Sequence, residues 1–272
     1  MTADTCALTL LPGVPEELVR RCFDRRSADK IANGQSFSLD YSSELIANAF
    51  GWFLERPHLL PSLPGLEYHY LGTENVDLNT CVPFPWLGGR HPTLGAVIDA
   101  NTHLIGIVSK RDEPFRGYKK PQFSAAFYRH EWDIQMRPYL DLRDQLLSGS
   151  LKYRFLDAAQ LVKQALALSI QSAQTCKQPI LYYIYHEPVE LDGQFVPIET
   201  RRSHIEELSD FRARIEEARV EFFFAGYFDW LSEWIYGDAA VERHGENVMR
   251  YLAYTGLVTS KGWGCGIHET IR

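Results

Sequence analysis

Residues 91–116 contain the feature that most constrains the fold: two short apolar runs separated by a polar turn. The runs cover residues 94–98 and 104–108, and the segment between them reads DANTH. Both runs are short and rich in β-branched residues, and turn formers bound them, so the pattern predicts a β-hairpin. Lys110 stands just beyond the second run, at the start of a charged segment.

Along the rest of the chain, segments with a helical pattern of apolar residues are interspersed with segments that have a strand-like pattern. The spacing of apolar residues predicts helices at 15–26, 44–54, 132–147, 153–173, 201–219, 229–236 and 239–254. Strands are expected at 66–71, 76–82, 179–185 and 220–224, and the third of these is apolar enough to be buried on both faces. This order favours an α/β fold with a mixed central β-sheet flanked by helices. We expect an N-terminal arm (1–35), one domain (36–260) and a C-terminal tail (261–272).

Composition limits the class of protein. The net charge is −7, so the chain is not a basic DNA-coating protein, and a nucleic-acid site needs a local basic face. Beside Lys110, the segment 110–120 offers such a face through Arg111, Arg116, Lys119 and Lys120. The alternative is an ordinary solvated loop.

The cysteines and the apolar runs bear on the compartment. The five cysteines are scattered singly without a CxxC spacing, which favours a reducing, cytoplasmic compartment. The N-terminal residues lack the pattern of a signal peptide, and no run approaches the length of a membrane span, so we expect no membrane partner.

A strand pair that ends in a lysine resembles the catalytic hairpin of the PD-(D/E)XK nuclease superfamily, in its bacterial restriction-endonuclease-like branch. Several further blocks resemble that branch in the same order along the chain. They are 42–51 (SSELIANAFG), 86–92 (WLGGRHP), 106–115 (GIVSKRDEPF), 153–163 (YRFLDAAQLVK) and 180–188 (ILYYIYHEP).

The resemblance implies a restriction-endonuclease-like core, a DNA substrate and a Mg²⁺ cofactor. It implies catalytic roles for Lys110 and for Gln160 and Lys163, which lie one helical turn apart and so share a face. The positions matched to the two metal-binding acids are Gly95 and Val108, neither of which carries a ligating atom. Mg²⁺ prefers carboxylate and water oxygens, so the motif is degenerate where the metal would bind.

Other acids could replace the missing pair. Strict alternation along the strand places Asp99 on the same face as Gly95 and Val97, but about 13 Å from Gly95 and at the turn. Glu44, on the first helix of the predicted domain, is the second candidate, and a first-turn glutamate that favours the helix dipole is the alternative interpretation. Glu113 lies on a loop and is expected to be exposed to solvent.

Two hypotheses therefore stay open. One is a divergent, catalytically inactive nuclease-like protein, a pseudoenzyme that binds nucleic acid or serves as a subunit of a bacterial restriction-type defence system. The other is an active Mg²⁺-dependent DNA endonuclease with relocated acids. DNA is the expected partner under both, and a protein partner or a second copy of the chain also stays open.

Overall fold

The computed structural model describes residues 10–31, 41–67, 72–86 and 91–258. Its α-helices are α1 (Glu16–Ile31), α2 (Tyr41–Phe50), α3 (Ala126–Arg129), α4 (Arg137–Ser148), α5 (Ala158–Thr175), α6 (Ile198–Arg214), α7 (Tyr227–Glu233) and α8 (Ala239–Val258). Its strands are β1 (Thr73–Cys81), β2 (Thr93–Ala100), β3 (His103–Lys110), β4 (Gln178–Tyr185), β5 (Glu190–Leu191), β6 (Gln194–Phe195) and β7 (Glu221–Gly226). Short 3-10 turns cover Gly51–Leu54, Pro57–Leu59, Glu113–Phe115, Ile134–Met136 and Trp234–Tyr236.

The centre of the fold is a five-stranded mixed sheet in the order β1-β2-β3-β4-β7. β1, β2 and β3 pair antiparallel, and β3, β4 and β7 pair parallel. The predicted hairpin is β2 and β3, whose antiparallel register runs from Ala96 opposite Ile107 to Asp99 opposite Leu104. The predicted α/β fold with a mixed sheet is confirmed.

Helices cover both faces of this sheet. One layer joins Ala96, Ile98, Ile105 and Ile107 of the hairpin to α1, α2, α7 and α8. The opposite layer joins Val97, Leu104 and Val108 to α4, α5 and α6. β4 alternates between the layers, and Tyr182 and Tyr183 are both fully buried, as predicted for a strand covered on both faces.

Element boundaries differ from the sequence predictions for local reasons. The helix expected from residue 132 begins at Arg137, because Pro138 favours the first turn of a helix, where its missing N–H costs nothing. The strand expected at 66–71 is not seen at residues 66–67, which form coil and turn, and its remainder lies outside the described residues. The predicted tail 261–272 lies outside them as well.

The helix of the predicted N-terminal arm packs against the sheet. Val19, Cys22 and Phe23 of α1 are buried in the same layer as α2. None of the helices in the described ranges combines the length and the hydrophobicity needed to cross a bilayer.

Candidate functional site

A polar cavity of about 400 Å³ lies where the amino end of β2 meets the carboxyl end of β3. Two helices reach it with their first turns, α2 from one face of the sheet and α5 from the other. The lining side chains are Phe23, Ser42, Ser43, Ile46, Asn79, Thr93, Gly95, Val108, Ser109, Lys110, Glu113, Lys119, Asp157, Gln160 and Gln164. Gly95, Val108 and Lys110, the hairpin positions matched to the nuclease motif, therefore all line this cavity.

Lys110 is held beside the carboxylate of Glu113, which was expected on a solvent-exposed loop. Its Nζ lies 4.0 Å from Oε1 of Glu113, which also accepts a hydrogen bond of 2.5 Å from the Ser42 hydroxyl. The other oxygen of Glu113 accepts from the backbone N–H groups of Arg111 and Asp112. Burial acts to raise the pKa of Glu113, but Lys110, Ser42 and the backbone N–H groups of Glu113 and Arg111 together hold it below its usual value. Glu113 is thus an ionised, anchored group, and the expectation of a solvent-exposed loop glutamate was wrong.

Gly95, the position matched to the first acid, is closed by an apolar side chain. A Cβ at position 95 would overlap Cδ1 of Ile46 on α2. The strict alternation of side chains along β2 also fails here. Leu94 and Val97 are three residues apart and should face opposite sides of the sheet, but both pack in the layer that contains α5. Ala96 and Ile98 pack in the layer that contains α2. Gly95 approaches α2, so the prediction that it shares a face with Val97 was wrong.

The second acid position is equally apolar. Val108 lines the cavity but is buried among the α5-layer side chains. Ser109 faces the other way, as the alternation predicted, and its hydroxyl is 2.8 Å from that of Tyr227 on α7.

The two proposed substitute acids lie elsewhere. Asp99 sits at the hairpin turn, where its carboxylate is 2.5 Å from Nζ of Lys177, and it does not line the cavity. Glu44 belongs to α2 but is not among the lining side chains.

The first turn of α5 brings in two side chains that line the cavity. Asp157 caps the helix by accepting from the backbone N–H of Gln160 at 3.1 Å, and its other oxygen lies 3.6 Å from Nζ of Lys119. Gln160 lines the cavity. Lys163 does not; its ammonium lies 5.5 Å from the centre of the Phe123 ring, and burial lowers its pKa.

Gln164, one turn further along α5, has an unusual environment. Its side chain is 4% exposed, and its Nε2 donates a 2.7 Å hydrogen bond to the backbone carbonyl of Thr93. A carbonyl can only accept, so this contact fixes which end of the amide is nitrogen. The buried Oε1 has no hydrogen-bond partner among the described residues.

These side chains do not fit a magnesium site. The two carboxylates in the cavity already bind a hydroxyl, backbone amides and lysines. In the described part of the chain, no group of three or more His, Cys, Asp or Glu side chains could hold a metal ion. Mg²⁺ needs direct carboxylate oxygens, and the hairpin presents Gly95 and Val108 in their place.

The basic segment is arranged unevenly. Lys119 lines the cavity and Lys120 is exposed. Arg111 is buried, at 5% exposure, and Arg116 forms ion pairs with Asp112 and Asp192. Of the four basic residues of the predicted face, one is therefore buried and a second is paired with two carboxylates.

Sequence reasoning missed several lining residues for identifiable reasons. Asp157 carried a signal, because an Asp directly before a long helical pattern is a typical N-cap. Asn79 and Thr93 gave none, since only the pairing of β1 with β2 brings them to the cavity.

No family model, curated protein or solved structure matches this chain.

Proposed function

We propose that this protein is a divergent PD-(D/E)XK nuclease-like protein with a restriction-endonuclease-like core, which binds nucleic acid through the cavity beside Lys110 without cutting it. The observation that carries the proposal is the replacement of both acid positions by apolar packing: Ile46 against Gly95, and Val108 in the core. The resemblance adds the setting, a restriction-type bacterial defence system.

Electrostatics at the cavity support binding of a phosphate backbone. Lys110 and Lys119 line it, and Lys120 is exposed on the same segment. The amino ends of α2 and α5 both reach the cavity, and helix amino ends carry partial positive charge; at α5, Asp157 already accepts from the N–H of Gln160. Each lysine in the cavity also faces a carboxylate, Lys110 that of Glu113 and Lys119 that of Asp157, so the lining side chains carry no net charge. The support for a phosphate ligand therefore comes from the helix amino ends and from the exposed Lys120.

The state of Lys110 supports binding in place of hydrolysis. A nuclease lysine orients or deprotonates a metal-bound water, which requires carboxylates that hold the metal. Here the neighbouring carboxylate, Glu113, is fixed by Ser42 and by two backbone N–H groups. Lys110 therefore forms an ion pair with Glu113, and because it lines the cavity it can also bind a phosphate oxygen there.

Binding is tested by fluorescence anisotropy on single- and double-stranded DNA across a salt series. We expect Lys110→Met and Lys119→Met each to weaken binding and to reduce the slope of log affinity against log salt by about 0.7–0.9. Lys152→Met, at an exposed lysine outside the cavity, is the matched control and should leave the slope unchanged. Absence of salt-sensitive binding in the unmodified protein would refute the proposal.

A second candidate is an active Mg²⁺-dependent endonuclease with relocated acids. One observation favours it: Glu113 and Asp157 line the same cavity as Lys110. Plasmid and single-stranded DNA incubated with Mg²⁺ or Mn²⁺ separate the two candidates. Metal-dependent cutting that disappears in Lys110→Met and in Glu113→Gln would replace our proposal with this one.

A further inference from the structure

A cluster of five aromatic rings lies outside the cavity, in the layer that contains α5. Two of its members, Phe84 and Phe127, are buried. The other three are partly exposed: Trp86, His130 and Trp132. The rings of Phe84 and Trp86 are stacked, with their centres 4.4 Å apart and their planes 9° from parallel. One face of a partly exposed tryptophan is therefore fixed on a buried ring.

The neighbouring rings stand beside this stack. The ring of Trp132 is nearly perpendicular to both stacked rings, and its centre lies 6.2 Å from each of them. The centre of the Phe127 ring lies 5.0 Å from that of Phe84 and 5.5 Å from that of Trp86. A ring almost equidistant from two stacked rings lies at the side of the stack and not on top of it. Neither neighbour therefore covers the outer face of Trp86, the face turned away from Phe84.

A chain of contacts connects the aromatic cluster to the cavity. Phe127 contacts Phe123 with ring centres 5.5 Å apart, and the ammonium of Lys163 lies 5.5 Å from the centre of the Phe123 ring. Lys163 also interacts electrostatically with Asp157, which lines the cavity. The cluster and the cavity are therefore neighbours along the first two turns of α5.

The charge beside the cluster is complementary to a nucleic-acid backbone. Residues 119–133 carry three basic and two acidic side chains, and one of the acids, Asp133, is paired with Arg219. The basic side chains are those of Lys119, Lys120 and Arg129. Lys163 and Asp157, the next charges along the surface, cancel each other. The surface therefore keeps an excess of positive charge next to partly exposed aromatic rings.

We infer that the outer face of Trp86 stacks on a base of a single-stranded nucleic acid whose backbone passes Lys119 and Lys120. This inference rests on the proposed nucleic-acid binding, and it names the class of nucleic acid that is bound. Basic side chains that follow the backbone, together with aromatic faces for the bases, are the means by which proteins bind single strands. The bases of a duplex are already stacked on one another, so only an unpaired base is free to lie on the ring.

The test measures fluorescence anisotropy with two single-stranded oligonucleotides of equal length and charge, one with normal bases and one with abasic residues. The unmodified protein should bind the normal strand about fivefold tighter or more, because the stacking of one base is worth at least that factor. Trp86→Leu, which keeps an apolar side chain on Phe84, should remove this preference by weakening the normal strand alone. Its salt slope should stay unchanged, because no phosphate contact is lost. Trp86→Phe should keep most of the preference.

Tyr236→Leu is the matched control. Tyr236 is an aromatic residue with 86% exposure, and it follows Trp234, which packs in the opposite layer of the fold. Its removal should leave the affinity for both strands unchanged. Thermal unfolding of each variant separates a folding defect from a binding defect. The comparison of the two strands on the unmodified protein stands even where Trp86→Leu fails to fold.

The outcomes distinguish this inference from the proposal beneath it. Equal affinity for normal and abasic strands, with salt-sensitive binding intact, overturns the stacking site and leaves the nucleic-acid proposal standing. A preference for the normal strand that persists in Trp86→Leu also overturns it. Absence of binding to either strand and to duplex DNA overturns both, and the aromatic surface is then better assigned to a protein partner.

Discussion

Ile46 and Gly95 are the pair of residues that most directly separates this cavity from a metal site. Cδ1 of Ile46 fills the space that a side chain at position 95 would need, and Ile46 is itself buried. An aspartate there would have to displace an atom of the core, which costs free energy before any metal can bind.

We predict that Gly95→Ala lowers the free energy of unfolding by about 1–3 kcal/mol, because its Cβ overpacks the core against Ile46. Ile46→Val, which deletes Cδ1, should cost about 0.5–1.5 kcal/mol alone. The double variant should lose less free energy of unfolding than the sum of the losses in the two single variants. Urea unfolding in a double-mutant cycle measures the coupling, and strict additivity would contradict the predicted clash.

At the scale of elements, the position of α5 decides where Asp157, Gln160 and Gln164 lie. The segment that precedes α5 is held by Glu207 of α6. Its carboxylate accepts hydrogen bonds of 2.6–2.8 Å from three successive backbone N–H groups, at residues 154, 155 and 156. This one side chain therefore fixes the direction from which α5 enters the site.

Glu207→Ala should lower the free energy of unfolding by about 1–3 kcal/mol, since it leaves backbone donors without their charged acceptor. DNA binding should weaken as well, because the first turn of α5 loses its anchor. Glu206→Ala, at the exposed neighbouring position, is the control and should stay within about 0.5 kcal/mol of the unmodified protein. Equal effects of the two substitutions in chemical denaturation would count against the anchoring role.

At the scale of the whole molecule, three buried histidines tie stability to pH. Burial lowers the pKa of His186, His204 and His244 to about 4 each, with Arg111 contributing at His186 and Arg56 at His244. All three are therefore neutral in the folded protein at pH 7, while in the unfolded chain they take up protons near pH 6.5. Protonation then favours the unfolded chain, so stability is complete above about pH 6.5 and falls progressively towards pH 4.

With a folded pKa of about 4, His204 should cost about 2 kcal/mol of stability at pH 5 relative to pH 8, and the other two histidines a similar amount each. His204→Leu should reduce the fall between pH 8 and pH 5 by about a third. His58→Leu, at an exposed histidine, should leave the fall unchanged. Urea unfolding at pH 8, 6.5 and 5 gives the profile, and a flat profile would refute the prediction.

The hairpin shows what could be predicted from residue order. Its two strands, its turn and the position of Lys110 at its open end follow from two short apolar runs, rich in β-branched residues and bounded by turn formers, so residues 91–116 were sufficient to predict them. The buried strand β4 was predictable for the same reason. Gly95 was not, because the alternation fails there through packing against α2, a segment about fifty residues away in the sequence.

The sequence by itself predicted the five strands of the central sheet, most of the helices and the absence of ligating atoms at Gly95 and Val108. Only the tertiary structure decided which side chains surround Lys110. The pairing of β1 with β2 brings Asn79 and Thr93 to the cavity, and the packing of α2 and α5 on opposite faces of the sheet brings Ser42 and Gln164. The physical reason is that hydrophobic periodicity specifies which face of an element is buried, whereas the partner that covers this face depends on contacts between distant segments.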